Sequence, residues 1–220
     1  DGGIRLASAG YSSSDGTAKN CLFVVLKSDD GFDLRDSDYR NAAAITSGIT
    51  ARDNKINEIL TTELRAKTRS EQINELNRWL VTKNSYNTQA AANKSPTNGG
   101  NLPWECLSAL KAGTSVEPVC EGYARAFKVL CDQLGIPCVL VDGQAESYPG
   151  QGQKGPHMWN YVQMEDGKWY AVDVTWNDPI IDIGGSQTPE MQSKWLLLGS
   201  STPVNEKNDT FISTHPVSNA

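Results

Sequence analysis

Residues 118–127 read Pro118-Val119-Cys120-Glu121-Gly122-Tyr123-Ala124-Arg125-Ala126-Phe127. Cys120, Tyr123, Phe127, Leu130, Cys131 and Leu134 recur at helical spacing. That pattern predicts a helix that starts at Cys120 and buries one stripe. Gly135 fits the C-cap, and Pro137 prevents continuation. At a helix start, unpaired N–H groups and the helix dipole favour a thiolate. Gly122, Ala124 and Ala126 are small, so another element, such as a sheet face carrying a base, can come close. Within an apolar stripe a cysteine is equally an ordinary packing residue. The rest of the chain has to decide between nucleophile and core filler.

Downstream, Cys138-Val139-Leu140-Val141 reads as a buried strand closed by Asp142-Gly143. A polar loop, residues 144–156, leads to His157. Two strand-like runs follow, Met158 to Met164 and Trp169 to Trp176, separated by Glu165-Asp166-Gly167-Lys168. Asp-Gly between such runs signals a hairpin. Upstream, Cys21 to Leu26 reads as a strand ended by Asp29-Asp30-Gly31, and residues 38–67 as partly helical. Thr68-Arg69-Ser70-Glu71 fits a capping box, with Ile73, Leu76, Trp79 and Leu80 at helical spacing behind it. Residues 84–103, centred on Ser95 to Gly100, read as a loop, and Trp104 to Leu110 as a short apolar segment. Residues 1–20, rich in Gly and Ser, are expected to be mobile in part. Helices followed by a meander of strands argue an α+β fold. Residues 1–60 form an N-terminal segment with one strand, and residues 61–220 the principal domain, the two expected to make one compact unit.

A cysteine nucleophile needs a base, and the chain has two histidines, His157 and His215. Asp173 stands inside the apolar run Tyr170 to Val174. A buried carboxylate is costly unless something pairs with it, and an imidazole is a suitable partner. Register makes the pairing testable. A three-residue turn with Gly167 left-handed sets Met164 across from Lys168, Trp159 from Asp173 and His157 from Thr175. His157 and Asp173 then share a face as diagonal neighbours. A turn one residue longer or shorter puts them on opposite faces. The candidate triad is therefore Cys120 as nucleophile, His157 as general base and then acid, and Asp173 as the group that orients the imidazole. Trp159 and Trp176 are read as packing that also borders the acyl site, and Asn160 and Asp178 as supporting groups. His215 reads as a surface residue. Asn208-Asp209-Thr210 fits a glycosylation sequon.

The bulk numbers are those of an ordinary globular chain. Its 220 residues suffice for a core without staples. The formal charge is −6, with no Lys/Arg run, which argues against a nucleic-acid partner. No apolar stretch suits a membrane helix. No signal peptide is visible, although a start at Asp1-Gly2-Gly3 without Met suggests processing. Of five cysteines, Cys120 is assigned to the site. Cys21, Cys106, Cys131 and Cys138 are either two disulfides or four buried thiols, and spacing does not choose between them.

Four motifs resemble the transglutaminase-like superfamily: Cys120 to Ala124, Leu134 to Cys138, His157 to Asn160, and Trp169 to Trp176. They occur in the family's order over about residues 68–180, and look like bacterial, exported members more than animal tissue transglutaminases. Trp79 to Tyr86 fits the family's preceding helix, and Thr214-His215-Pro216 loosely resembles its tail. The resemblance implies a papain-like α+β fold, helices packed on an antiparallel sheet with the nucleophile at a helix N-terminus. It implies the triad Cys120, His157 and Asp173, and acyl transfer through a thioester. The substrate would be a protein or peptide amide, and the acceptor an amine or water. The alternatives are a cysteine peptidase or amidase acting on cell-surface protein or peptidoglycan, and a non-catalytic binding module. No metal or cofactor is expected, and the implied setting is extracellular or at the cell surface.

Overall fold

The structure, a computed structural model, describes residues 4–12, 21–32, 42–93, 103–146, 154–178 and 191–217. Strands β1 (Ile4–Ser12) and β2 (Cys21–Ser28) form an antiparallel pair. The stretch expected to be mobile thus contributes a strand. Helix α1 (Ala42–Thr62) and helix α2 (Arg69–Lys83) follow. Thr68 and Glu71 make the full capping box at the start of α2, satisfying two otherwise free backbone N–H groups. A short helix α3 (Thr88–Asn93) stands where a loop was expected. The Ser95–Gly100 loop centre lies outside the described residues. The Trp104–Leu110 segment gives helix α4 (Cys106–Leu110). Helix α5 (Cys120–Gln133) begins at Cys120, and Gly135 follows it with φ 67°.

A second sheet runs in the order β3 (Cys138–Glu146), β4 (Lys154–Gln163), β5 (Trp169–Val172), β6 (Leu196–Leu198), all antiparallel. The expected α+β arrangement is present: helices, then a meander. Between β4 and β5 the turn has three residues. Met164 N–H bonds the Lys168 carbonyl at 3.0 Å, and Gly167 N–H bonds Met164 at 3.0 Å. Gly167 has φ 76°, a conformation that favours glycine. Asn160 pairs with Val172 and Gln163 with Trp169, the register in which Trp159 stands across from Asp173.

That register does not continue as expected. β5 stops at Val172, and Asp173 becomes the N-cap of a one-turn helix, α6 (Val174–Asn177), accepting the Trp176 N–H at 3.1 Å. Thr175 is therefore helical rather than paired with His157. An aspartate is among the best N-cap residues, so the side chain that suits the site also ends the strand.

Two cores flank the sheet. Ile56, Ile59, Ile73, Leu76, Leu80, Tyr123, Phe127 and Leu130 pack with Val162 and Val172 on one face. Each such buried side chain stabilises by about 1.5–3 kcal/mol relative to exposure. Phe32 and Ile56 belong to this core, and a boundary at residue 60 falls inside α1. Phe32, Ile56 and Ile59, which precede it, are thus packed into the principal domain. On the other face Trp159, Ala171, Trp176, Trp195 and Phe211 form the second core, where helix α7 (Phe211–Thr214) docks. The tail is pinned by Gln144 N–H on the Pro216 carbonyl at 2.9 Å. Gly143 makes room for it: a Cβ there would lie 2.5 Å from that carbonyl oxygen and 2.2 Å from the Trp159 ring.

Candidate active site

Cys120 is the first residue of α5, and the N-cap position is Val119, which offers no side-chain hydrogen bond. The first N–H groups of the helix are therefore not capped by a side chain. Val119 N–H bonds the Pro103 carbonyl at 3.0 Å, fixing the entry of the helix. Gly122 permits that approach, since a Cβ there would lie 2.5 Å from the same carbonyl. Asn160, fully buried on β4, donates from Nδ2 to the Ala124 carbonyl at 3.0 Å, tying α5 to the sheet.

Helix α5 meets the sheet at Ala124, on the side of Asn160 and Val162 rather than on the side of His157, while Gly122 faces Pro103 and Ser108. Side chains alternate along a strand, so His157 shares its face with Trp159 and the second core. His157 and Cys120 nonetheless line the same groove, where the two side chains act on each other. The two meet near the start of β4.

His157 Nε2 lies 2.7 Å from Asp173 Oδ2. Burial opposes charge on the ring. The Asp173 charge and hydrogen bond, with the Cys120 contact added, outweigh it and push the imidazole up to about 10. Burial also opposes charge on Asp173. His157 and then His215 outweigh it and hold the carboxyl well below the usual carboxylate range. Asp173 is fully buried, and its N–H bonds the Trp195 carbonyl at 2.9 Å. Helix α6 is anchored in turn by Asn177, which bonds Asn77 on α2 at 2.9 Å and the Trp195 N–H at 2.7 Å.

The structure thus brings Cys120, His157 and Asp173 together. Trp159, Asn160, Trp176 and Asp178 stand behind them, none bordering the groove beside Cys120. Trp159, stacked, and Trp176, tilted, flank His157, each with ring centroids 6.1 Å from it, where they exclude water from the imidazole. Asp178 accepts the buried Tyr123 hydroxyl, one turn along α5 from Cys120. Burial, with the Glu117 charge adding and the Tyr123 bond opposing, pushes its carboxyl up to about 6. The fold therefore disfavours the ionised form, and the penalty is complete above about pH 6 and absent below about 3.8. Asp178→Asn, which still accepts from Tyr123, is expected to raise Tm at pH 8 and to give no gain at pH 4, as read by thermal melts.

Two neighbours escaped the sequence reading. His215, read as a surface residue, is 1% exposed, with Nε2 3.1 Å from the same Asp173 oxygen. That it is one of only two histidines was the available signal. Tyr86 follows α2 rather than lying in it. The Ser85 N–H on Glu117 at 2.8 Å and the Asn87 N–H on Pro118 at 2.8 Å hold its segment against the start of α5. Its side chain lines the same groove as Cys120 and lies close enough to act on it. Burial, then the Cys120 charge, pushes the phenol up.

Cys120, His157, Tyr86, Trp104, Glu121 and Glu146 help line an open groove of about 570 Å³. Cys106, Cys120, Cys131 and Cys138 are free thiols, so the two-disulfide alternative does not hold for the described cysteines. The side chain of Cys21 lies outside the described residues. His157, Asp173 and His215 present ligand atoms within 4.8 Å of one another. They could hold a cation only by giving up the hydrogen bonds that already join them.

The sequence profile of the transglutaminase-like superfamily matches residues 56–174. Kyphoscoliosis peptidase of Mus musculus is 33% identical over 84 residues, 36% of this chain and 13% of that protein. Its Homo sapiens counterpart is 31% identical over 102 residues, 44% of this chain and 13% of that protein. The matches thus span a small part of those relatives. A solved transglutaminase structure aligns at TM-score 0.45 and 18% identity, over 87% of this chain and 49% of its own. With the profile covering more than half of its length, the chain belongs to the transglutaminase-like superfamily.

Proposed function

We propose that the protein is an enzyme that transfers or hydrolyses acyl groups through a thioester on Cys120. The observation that carries this reading is the placement of three side chains in succession, Asp173 Oδ2 2.7 Å from His157 Nε2 and His157 lining one open groove together with Cys120. Cys120 sulfur attacks the carbonyl carbon of a peptide or side-chain amide. The C–N bond breaks as the His157 imidazolium gives its proton to the leaving nitrogen. The thioester is then attacked by an amine or by water. His157 takes a proton from that nucleophile and the Cys120 thiolate departs. Asp173 keeps the ring oriented and stabilises its cation throughout. The oxyanion would be met by the N–H groups at the start of α5 and by the hydroxyl of Tyr86, which lines the same groove as Cys120.

The groove is open and is lined by several separate segments of the chain, including Tyr86, Trp104, Glu121, Glu146 and Pro156, which suits a protein or peptide chain. The extracellular or cell-surface setting implied by the resemblance is carried with this proposal, and cell fractionation tests it. For the reaction, the protein is incubated with a glutamine-containing donor peptide and a labelled amine, with Cys120→Ala as control. Amine incorporation that is lost in Cys120→Ala is the expected result. Cysteine-dependent cleavage without incorporation makes the protein a peptidase or amidase instead. Neither reaction, with a Cys120 no more reactive than a free thiol, overturns the enzyme reading.

A further inference from the structure

The chain's two histidines converge on one carboxylate oxygen. His157 Nε2 is 2.7 Å and His215 Nε2 3.1 Å from Asp173 Oδ2. The His215 ring is clamped. It stacks on Phe211 with centroids 3.9 Å apart and an interplanar angle of 7°, and Trp176 lies 4.2 Å away on centroids. Its other nitrogen, Nδ1, is 2.8 Å from Thr214 Oγ1. Both ring nitrogens are therefore partnered, inside a wall of Trp159, Trp176, Trp195 and Phe211.

We propose that His215 is a positioning residue for the Cys120 site, whose Nε2–H fixes Asp173 Oδ2 toward His157. It rests on the proposed function, because it concerns how that site is held. Asp173 Oδ1 is already fixed by the Trp176 N–H at 3.1 Å. Oδ2 would otherwise be held by His157 alone, the ring that must gain and lose a proton during the reaction. A second donor keeps the carboxylate aimed through both protonation states of His157.

The arrangement requires His215 to be neutral. A second imidazolium on one carboxylate would compete with His157 for its charge. The Thr214 hydroxyl has one proton, which goes to Nδ1, to the Phe211 carbonyl at 2.9 Å or to the Thr210 carbonyl at 3.2 Å. Given to Nδ1, it leaves His215 with its own proton on Nε2, facing Asp173. Burial, the largest influence, pushes the His215 pKa down, and the His157 charge acts in the same direction against Asp173. Asp173 and His157 are the titratable groups that act on the ring from the elements packed against it. The rings packed against it, Trp159, Trp176, Trp195 and Phe211, do not titrate.

A core histidine without this role would affect only stability. The pH profile of Cys120 alkylation by iodoacetamide separates the two. His215→Phe keeps the stack on Phe211 and removes the donor. In the folded variant the alkylation midpoint is expected to move about one unit toward that of an ordinary thiol. His215→Gln, whose side-chain amide can donate in place of Nε2, should restore at least half of the shift. An unmoved profile in folded His215→Phe, or equal shifts in the two variants, overturns the proposal. The wild-type protein supplies a measurement that does not depend on a variant folding. With two histidines in the chain, ring-¹⁵N labelling gives two spin systems. His215 should remain the neutral Nε2–H tautomer from pH 5.5 to 8. Free titration near pH 6.5 overturns the assignment. An ordinary thiol profile in the wild type would instead sink the nucleophile reading itself.

Discussion

Asp173→Asn should lower kcat by about 10⁴-fold while leaving Cys120 in place. The size of the effect follows from the number of groups that converge on this carboxylate. Oδ2 takes His157 and His215, and Oδ1 takes the Trp176 N–H. An asparagine must keep its oxygen toward Trp176, so its NH₂ turns toward two imidazole nitrogens that carry protons. Both rings then have to change tautomer or move. His157 also loses the charge that holds it as an imidazolium. Breaking a buried charged pair from one side costs about 3–5 kcal/mol, so Tm should fall by roughly 6–20 °C. The loss should depend on pH. His157 is pushed up to about 10 from an ordinary 6.5. Its stabilisation is fully present below about 6.5 and is lost as pH rises through 10. The Tm gap between wild type and Asp173→Asn should therefore be wide at pH 6.5 and narrower at pH 10. A constant gap would mean that the carboxylate acts only as the cap of α6.

Gly122→Ala should have the second-largest effect, although it adds a single methyl group and touches none of the reacting atoms. The new Cβ would meet the Pro103 carbonyl at 2.5 Å, Ser108 Oγ at 2.8 Å and Pro118 Cβ at 2.9 Å. Backbone and a proline ring are poor at yielding. The start of α5 has to move away from residues 103–118, at a cost of about 1–3 kcal/mol. Cys120 stands two residues before Gly122 and moves with the helix. A displacement on the order of 1 Å is enough for a loss of about 10²-fold in rate. The expected outcome is a folded protein with slower Cys120 alkylation. Unchanged alkylation would show that the helix start can relax without moving the thiol.

Much of this site was legible along the chain, for reasons that differ by residue. Cys120 was marked by a helical stripe and its C-terminal glycine, both local signals. The His157–Asp173 relation followed from the period of two along strands and from Asp-Gly in the turn, which the Gly167 conformation bears out. The end of β5 was not legible, because Asp173 serves as partner and N-cap at once, and the apolar run continues through Trp176. The face of β4 that meets α5 was also misjudged. Small residues on a helix say that something approaches closely, but not which side of a strand does so.

His215 and Tyr86 were missed for a common reason. Each reaches the site through contacts distant in sequence, His215 by the docking of α7 on the second core and Tyr86 by the clasp between residues 85–87 and 117–118. No periodicity carries such information. Helix α2 ends at Lys83, where the loop reading of residues 84–103 begins, because Asn84 turns back. Its Nδ2 donates to the Leu80 carbonyl at 2.7 Å and to the Ala109 carbonyl at 3.0 Å. The aromatic residues were recognised as packing, and that is the role they hold, closing the imidazoles off from water.

The central claim is that Cys120 forms a thioester with the help of His157, and acyl-enzyme trapping tests it most directly. Wild type, Cys120→Ala and His157→Ala are each exposed to an activated acetyl ester, quenched in acid and mapped by peptide mass spectrometry. The account predicts one hydroxylamine-labile acetyl group on the Cys120 peptide of the wild type, absent from Cys120→Ala and formed at least about tenfold more slowly in His157→Ala. Acetylation spread over other residues, or a Cys120 rate indifferent to His157, would contradict it.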